Sequence, residues 1–325
     1  MSGRDLDEDD VRVRPPRGTR PRSRLRPSHD AAGGGRVVAV DRGRFACIVG
    51  DIVVTAMRAR ELGRRGVVVG DDVALVGDLT GAAGALARIV RVQPRRTTLR
   101  RTADDIDPVE RVIVANAEQL VVVSAVTDPT PRPRLIDRCL VAAHDAGLEA
   151  LIVLTKTDLA DPAELLDLYA RAEVLTVLAG RGQPLELLAT RLTGRSSVLV
   201  GHSGVGKSSL VNALVPDADR RIGAVNAVTG RGRHVSVSVL ALRYGATGWL
   251  VDTPGVRSFG LAHVPRDRLV QAFPELVAGL ADCAGDCDHL DAEVCGFDAR
   301  VRAGAAPAER LDSLRRLLVA RDAED

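Results

Sequence analysis

Gly201-His202-Ser203-Gly204-Val205-Gly206-Lys207-Ser208, followed by Ser209, is an unbroken G-x-x-x-x-G-K-S run. Glycines at these places let the backbone wrap a β-phosphate with successive N–H groups pointing inward. Lys207 brings a point charge to the β- and γ-phosphates, and the Ser208 hydroxyl is a ligand for Mg²⁺. A second run, Asp252-Thr253-Pro254-Gly255, follows 45 residues after Lys207. Asp252 can hold Mg²⁺ through water. Gly255 can turn its N–H to a γ-phosphate and release it after hydrolysis. A third run is Thr155-Lys156-Thr157-Asp158. A carboxylate accepts two hydrogen bonds, and guanine offers two adjacent donors, N1–H and N2–H₂. Adenine presents an acceptor at N1, so Asp158 would face it unpaired, which makes Asp158 a guanine selector. The stem of Lys156 can lie along the base.

Cys283, Cys287, His289 and Cys295 lie within 13 residues. Three thiolates and one imidazole suit a single tetrahedral Zn²⁺, and four protein ligands leave no open position, so the metal is expected to be structural. The chain has five cysteines, an odd number. Cys47 and Cys139 read as core thiols. That is no disulfide framework, and it suits a reducing cytoplasm. Of 45 Lys and Arg, only Lys156 and Lys207 are lysines. Both fall inside the nucleotide motifs, where a compact ammonium cannot be exchanged for a planar guanidinium.

These motifs need strands that end at one edge of a sheet. From about residue 110 buried strands alternate with helices: Gln119 to Val126, Ala150 to Leu154, Ser197 to Val200 and Gly248 to Val251 read as strands. Leu135 to Ala146, Ala163 to Ala172 and Ser208 to Leu214 read as helices. Polar motifs at strand C-termini mark an α/β domain, expected over 110–262. Before it, 36–101 carries five or six short β-rich runs, among them Val67-Val68-Val69, which suggest a small barrel such as an OB-fold, or an SH3-like barrel. Residues 1–35 read as a disordered tail with arginines at 12, 14, 17, 20, 22, 24 and 26, ending in a flexible joint at Gly33-Gly34-Gly35. It is either a solvated tail or an arm for phosphate backbones. Residues 263–325 read as a small helical zinc module, ending in a helix from Pro307 to Arg321.

Across all 325 residues, 45 basic groups balance 43 acidic ones, which excludes a uniformly basic coat protein or an acidic solvating chain. Hydrophobic residues at 46% exclude wholesale disorder. No apolar run reaches the roughly 18 residues of a membrane span, and the start, MSGRDLDEDD, lacks an apolar signal core. A cytoplasmic protein without a membrane partner is expected.

The motif order is unusual. In the common guanine-nucleotide fold the phosphate loop precedes the base-reading box; here 155–158 precedes 201–208, and Asp252 follows. Cutting and rejoining the chain builds the same sheet, so a circularly permuted domain is expected, with both loops meeting across one nucleotide. In this order, with the β-rich segment before and the Cys/Cys/His/Cys module after, the chain resembles the circularly permuted, ribosome small-subunit-dependent GTPases (RsgA type). Ala115-Asn116-Ala117-Glu118-Gln119 and Leu135-Ile136-Asp137-Arg138 are smaller echoes. The resemblance implies an OB-fold, a P-loop GTPase domain and a zinc module. It also implies GTP hydrolysis to GDP stimulated by the small ribosomal subunit, contacts with its rRNA, and a role in late subunit maturation. A monomer is expected.

The departures carry expectations of their own. Thr155 stands where the family usually has Asn, which weakens a contact to guanine N7 or to the phosphate loop. The Ser-Ala that supports guanine aligns with Leu178-Ala179. The switch reads Gly230-Arg231-Gly232-Arg233-His234-Val235-Ser236-Val237. His234 matches the family's histidine for hydrolysis, and Ser236 is the remaining hydroxyl for Mg²⁺. Val256 sits where a water-ordering Gln is usual, so turnover alone should be slow. The altered switch leaves a second reading, a GTP-dependent rRNA-binding assembly chaperone with little hydrolysis. A P-loop kinase is a third, and it lacks an evident acceptor pocket.

Overall fold

The computed structural model describes residues 32–41, 43–62, 66–102, 110–215, 218, 239–253, 259–290 and 295–322. Short β-branched runs broken by turns build its first part: β1 (Gly33–Asp41), β2 (Arg44–Val49), β3 (Ile52–Arg58), β4 (Asp72–Gly77) and β5 (Ala87–Val92). β1 pairs antiparallel with β2 and β4, β2 with β3, and β4 with β5, while β3 and β5 run parallel. The ring therefore closes in the order 1-2-3-5-4 back to 1, an OB-like barrel with no free edge among these strands. Inward positions of every strand, among them Val37, Phe45, Val54, Leu75 and Ile89, form its core. Cys47 lies among them, and burial pushes its thiol up to about 12, leaving it inert.

Two expectations are corrected here. Gly33-Gly34-Gly35 are not a joint: they open β1 and pair with Leu75, Ala74 and Val73 of β4, so their backbone groups are taken up by the barrel. Val67–Val69 is not a strand beyond a single bridge from Val69 to Val114. Asp71 holds that segment instead. Its fully buried carboxylate accepts the Val68 N–H at 2.8 Å and a forked pair from Arg95 at 2.7 and 2.9 Å.

β6 (Thr98–Arg101) and β7 (Arg111–Ala115) form a two-stranded antiparallel link to the α/β domain. There β8 (Gln119–Ala125), β9 (Glu149–Thr155), β10 (Leu175–Ala179), β11 (Ser196–Val200) and β13 (Gly248–Asp252) run parallel, with β12 (Leu240–Tyr244) antiparallel at one side. The order is β10-β9-β8-β11-β13-β12. Every residue of β8 is buried, as expected of a strand covered on both faces, and it reads as a continuous apolar run for that reason. α1 (Pro133–Asp145), α2 (Ala163–Tyr169), α3 (Glu186–Leu192) and α4 (Lys207–Leu214) supply the apolar faces of two cores, one on each side of the sheet.

β12 does not end the sheet. Ala39 of β1 pairs with its Leu240, so barrel and α/β domain share one continuous ladder of 11 strands. Arg36 and Arg243 lie over the Trp249 ring at 5.6 and 5.8 Å, and Arg243 meets Asp51 at 2.5 Å.

The C-terminal part comprises α5 (Arg266–Gln271), α6 (Pro274–Val277), a 3-10 turn (Ala278–Asp282), α7 (Gly296–Arg302) and α8 (Ala308–Asp322). A buried polar cluster fixes it to α1. Arg310 of α8, 1% exposed, pairs with Asp137 of α1 and, at 2.5 Å, with Glu275 of α6. Tyr169 of α2 donates to Asp137 at 3.0 Å and to the Pro133 carbonyl at 3.1 Å. Burial opposes the Arg310 charge, but Asp137 and Glu275 outweigh it and hold the guanidinium above its ordinary pKa. Among the described residues no helix is long and apolar enough to cross a membrane.

Candidate functional site

The C-terminal ends of β9, β8, β11 and β13 lie at one edge of the sheet, because the four strands are parallel neighbours. β11 delivers the Gly201–Ser209 loop there. Gly201 is compelled by space: a Cβ on it would stand 2.4 Å from the Val123 carbonyl oxygen of β8. Gly204 and Gly206 hold φ of 84° and 88°, the left-handed region that lets the loop close before α4. Lys207 and Ser208 then begin the helix, whose free N–H groups and dipole favour an anion. The Lys207 ammonium lies 3.0 Å from Asp252 Oδ1 and donates to the Thr253 carbonyl at 3.3 Å. Thr253, fully buried, donates from Oγ1 to the Leu199 carbonyl at 2.7 Å, which ties the end of β13 to β11.

β9 delivers Thr155-Lys156-Thr157-Asp158 to the same edge. The Thr155 hydroxyl, expected to contact guanine N7 or the phosphate loop less well than Asn, donates to Val205 O of that loop at 2.5 Å and meets Ser124 O of β8 at 3.3 Å. The side chain is short, but the loops are close enough for a hydroxyl to reach. The Lys156 ammonium is held by the Asp128 carbonyl, beyond the end of β8. A cleft of about 530 Å³ runs between the two loops, lined by Thr155, Lys156, Asp158, Gly206, Ser209 and the 180–183 turn. A hydroxyl, an ammonium, a carboxylate and a helix N-terminus thus converge on one opening, a donor and acceptor set for a phosphorylated purine.

Four residues contribute to the site in roles that no motif announces. Gly180, Arg181 and Gln183 form a turn against Thr157 and Asp158. Thr253 was read only as part of a motif, though it carries the bond to β11. A Gly-rich stretch after an apolar run was the one local signal for the turn. His234, Ser236 and Gly255 lie outside the described residues, as do residues 1–31 of the arginine-rich tail.

Cys283, Cys287, His289 and Cys295 form a second constellation, their ligand atoms all within 4.8 Å of one another. His289 Nδ1 lies 3.6 Å from Cys283 Sγ and 3.8 Å from Cys295 Sγ. A tetrahedral ion with bonds of about 2.0–2.3 Å spaces its ligand atoms roughly 3.6–3.8 Å apart, so the cluster fits one metal ion. The Gly296 N–H donates to Cys283 Sγ at 3.3 Å, and His289 stacks on Phe297 at 4.4 Å. Arg315 of α8 donates to the His289 carbonyl at 2.9 Å and forks onto Asp298 of α7, so the ligand loop is braced from outside. Burial pushes the Cys295 thiol up to about 11, against which a metal would have to deprotonate it.

A family profile described as RsgA GTPase matches residues 92–262. A protein of Ectopseudomonas mendocina (strain ymp) named small ribosomal subunit biogenesis GTPase RsgA is 39% identical over 246 residues, spanning 73% of this chain and 71% of that protein. One of the same name from Chromohalobacter salexigens is 38% identical over 261 residues, 78% of this chain and 75% of the relative. A crystal structure of YjeQ from Thermotoga maritima superposes with a TM-score of 0.68 at 25% identity, covering 89% of this chain and 98% of its own. That of YloQ, described as a circularly permuted GTPase, gives 0.67 at 21% identity, with coverage of 93% and 99%.

Proposed function

The chain belongs to the RsgA GTPase family, whose members hydrolyse GTP, and from that premise we propose that it binds GTP in the cleft between 155–158 and 201–209 and acts in small ribosomal subunit biogenesis. What supports this reading most is the hydrogen bond from Thr155 to Val205, which puts the base-reading box and the phosphate loop on one cavity. Asp158 accepts N1–H and N2–H₂ of guanine, and the stem of Lys156 lies along the base. Backbone N–H groups of 203–208 and the Lys207 ammonium hold the β- and γ-phosphates. The Ser208 hydroxyl and Asp252 carboxylate are hard oxygen donors beside those phosphates, and they suit Mg²⁺. Held there, Mg²⁺ would supply charge neutralisation to the phosphates. Gly255 reports the γ-phosphate, while His234 orders the attacking water and Ser236 reaches the metal. With Val256 where a Gln is usual, the chain alone turns over slowly, and the small subunit supplies the missing order.

In this reading rRNA phosphates are gripped by arginines of the barrel, such as the exposed Arg44, Arg88 and Arg91, since Phe45 is the barrel's single aromatic and is buried. The protein works as a cytoplasmic monomer without a membrane partner. GTP turnover by the full chain, with and without purified small subunits at low and high salt, tests this. Turnover should rise at least about tenfold with subunits, and the rise should shrink as salt releases the phosphate contacts. ATP should not compete. Full-speed turnover by the chain alone, or ATP accepted as well as GTP, would sink the proposal. Tight GTP-dependent subunit binding with no stimulation would favour the assembly-chaperone reading, to which Val235 and Val237 in the switch lend support.

The Cys283, Cys287, His289, Cys295 cluster holds one structural Zn²⁺. Chelation of the purified protein should release one equivalent of zinc and expose 278–302 to amide exchange, while exchange in the barrel core stays slow. Zinc release with no change in exchange there would show that the ion has no structural role.

A further inference from the structure

We infer that Gln183 sets the guanine selectivity of this chain, as a positioning residue that orients Asp158 where Leu178 carries no hydroxyl. The inference rests on the nucleotide site proposed above. β10 ends at Ala179 beside Thr155 of β9, and the residue before it, Leu178, brings no polar atom to the loop. The chain then turns sharply through Gly180–Gln183. The Gln183 N–H donates to the Gly180 carbonyl at 3.1 Å, and Gly182 takes a φ of 77° at the third place of the turn.

The Gln183 side chain folds back over this turn and welds it to the base-reading box. Its Oε1 accepts from the Gly180 N–H at 2.9 Å and from the Thr157 hydroxyl at 3.0 Å. A backbone N–H can only donate, so the carboxamide oxygen, not the nitrogen, must face the turn. One residue on, the Arg181 N–H donates to Asp158 Oδ1 at 2.9 Å. Two neighbouring residues of the turn thus grip two neighbouring residues of the box. There is no slack between them. A Cβ on Gly180 would stand 2.8 Å from Thr157 Oγ1, 2.9 Å from Gln183 Cδ and 3.0 Å from Asp158 N.

Asp158 reads two donors only if its carboxylate lies in the plane of the base. The Arg181 N–H fixes one oxygen and with it that plane, and it is there because Gln183 holds the turn. Loss of the clamp lets the carboxylate rotate, which costs most for the ligand that needs both oxygens.

Dissociation constants and steady-state kinetics for GTP and ITP test this; inosine lacks the 2-amino group and offers Asp158 only N1–H. Gln183→Met keeps the length and removes the acceptor. It should weaken GTP about tenfold and ITP less, so the GTP:ITP preference shrinks several-fold, with KM raised and kcat at saturation unchanged. Gln183→Glu keeps acceptor oxygens and should stay within about threefold of wild type. Gly180→Ala should reproduce the Met variant by prising the turn from the box. A Met variant that keeps the GTP:ITP preference, whether its two affinities hold or fall together, would overturn the inference, as would a Glu variant as weak as Met. Wild type is measured first. If it does not prefer GTP, the base-reading assignment fails and this inference with it. If it does and Gln183→Met changes nothing, only the role of Gln183 is lost.

Discussion

Lys207→Ala should lower subunit-stimulated kcat/KM for GTP by about 10²–10³, the order of loss when one preorganised donor to developing negative charge is removed. The ammonium sits where the loop after β11 meets the end of β13, 3.0 Å from Asp252 and in contact with the Thr253 carbonyl. In the proposed reading an incoming γ-phosphate would take that ammonium over, freeing Asp252 to hold a metal ion. Without Lys207 the β- and γ-phosphates lose the protein's own cation, and binding and chemistry should suffer together. Lys207→Arg should fail almost as badly, because a guanidinium is too wide for a glycine cradle built around a thin stem. Single-turnover hydrolysis with small subunits, beside fluorescent-nucleotide binding, measures both. An arginine variant with near wild-type turnover would reduce Lys207 to a general positive charge.

The second large effect concerns stability. Arg310→Ala should destabilise the chain by about 3–5 kcal/mol, because it strands Asp137 and Glu275 without their cation in the interior. Arg310, Asp137 and Glu275 are 1%, 2% and 5% exposed, and Arg310 also covers the Phe273 ring at 4.3 Å and the Tyr169 ring at 5.3 Å. Exposed pairs such as Arg243–Asp51 are worth far less, about 0–1 kcal/mol. Replacing the whole cluster by apolar residues of similar size should be near neutral, since it removes the charges together with their desolvation cost. Thermal melts would show a fall of roughly 10 °C for the single variant and little for the triple. Equal destabilisation by both would locate the cost in packing instead.

The contrast between these two lysine and arginine sites explains what could be read from sequence. The phosphate loop is contiguous: strand, glycines, Lys207 and helix follow one another, so chemistry and position are written in the same eight residues. The metal cluster is nearly as local, and Cys283 to Cys295 needed only their spacing. The barrel was legible as a count of short runs, but not its closure, which depends on β3 meeting β5 and β4 returning to β1. Arg310 was not legible at all. In A-E-R-L-D-S-L it reads as a solvated helix residue, and its partners lie 173 and 35 residues away. Gln183 was missed for the same reason, since its bond to Thr157 spans 26 residues and exists because β10 lies beside β9. Thr155 shows the converse. Its residue type suggested a weaker contact to guanine N7 or the phosphate loop, and only the spacing between the two loops shows that the hydroxyl reaches Val205.

The ladder shared by barrel and α/β domain has a mechanical consequence. Along β1 and β12 the described residues show one paired position, Ala39 with Leu240; beside it Val38, Ala39 and Ala46 of the barrel share a core with Leu120, Val122 and Trp249 of the α/β domain, Val69 bridges Val114, and the Asn116 amide donates to the Gly70 carbonyl. Such a joint is a weld rather than a pivot: apolar packing, backbone pairing and hydrogen bonds cross it together. If the barrel is gripped by rRNA as proposed, strain there reaches Asp252, at the end of the strand next to β12, through packed side chains and paired backbone. Because most of those contacts are buried, ionic strength should change the stiffness of the joint little.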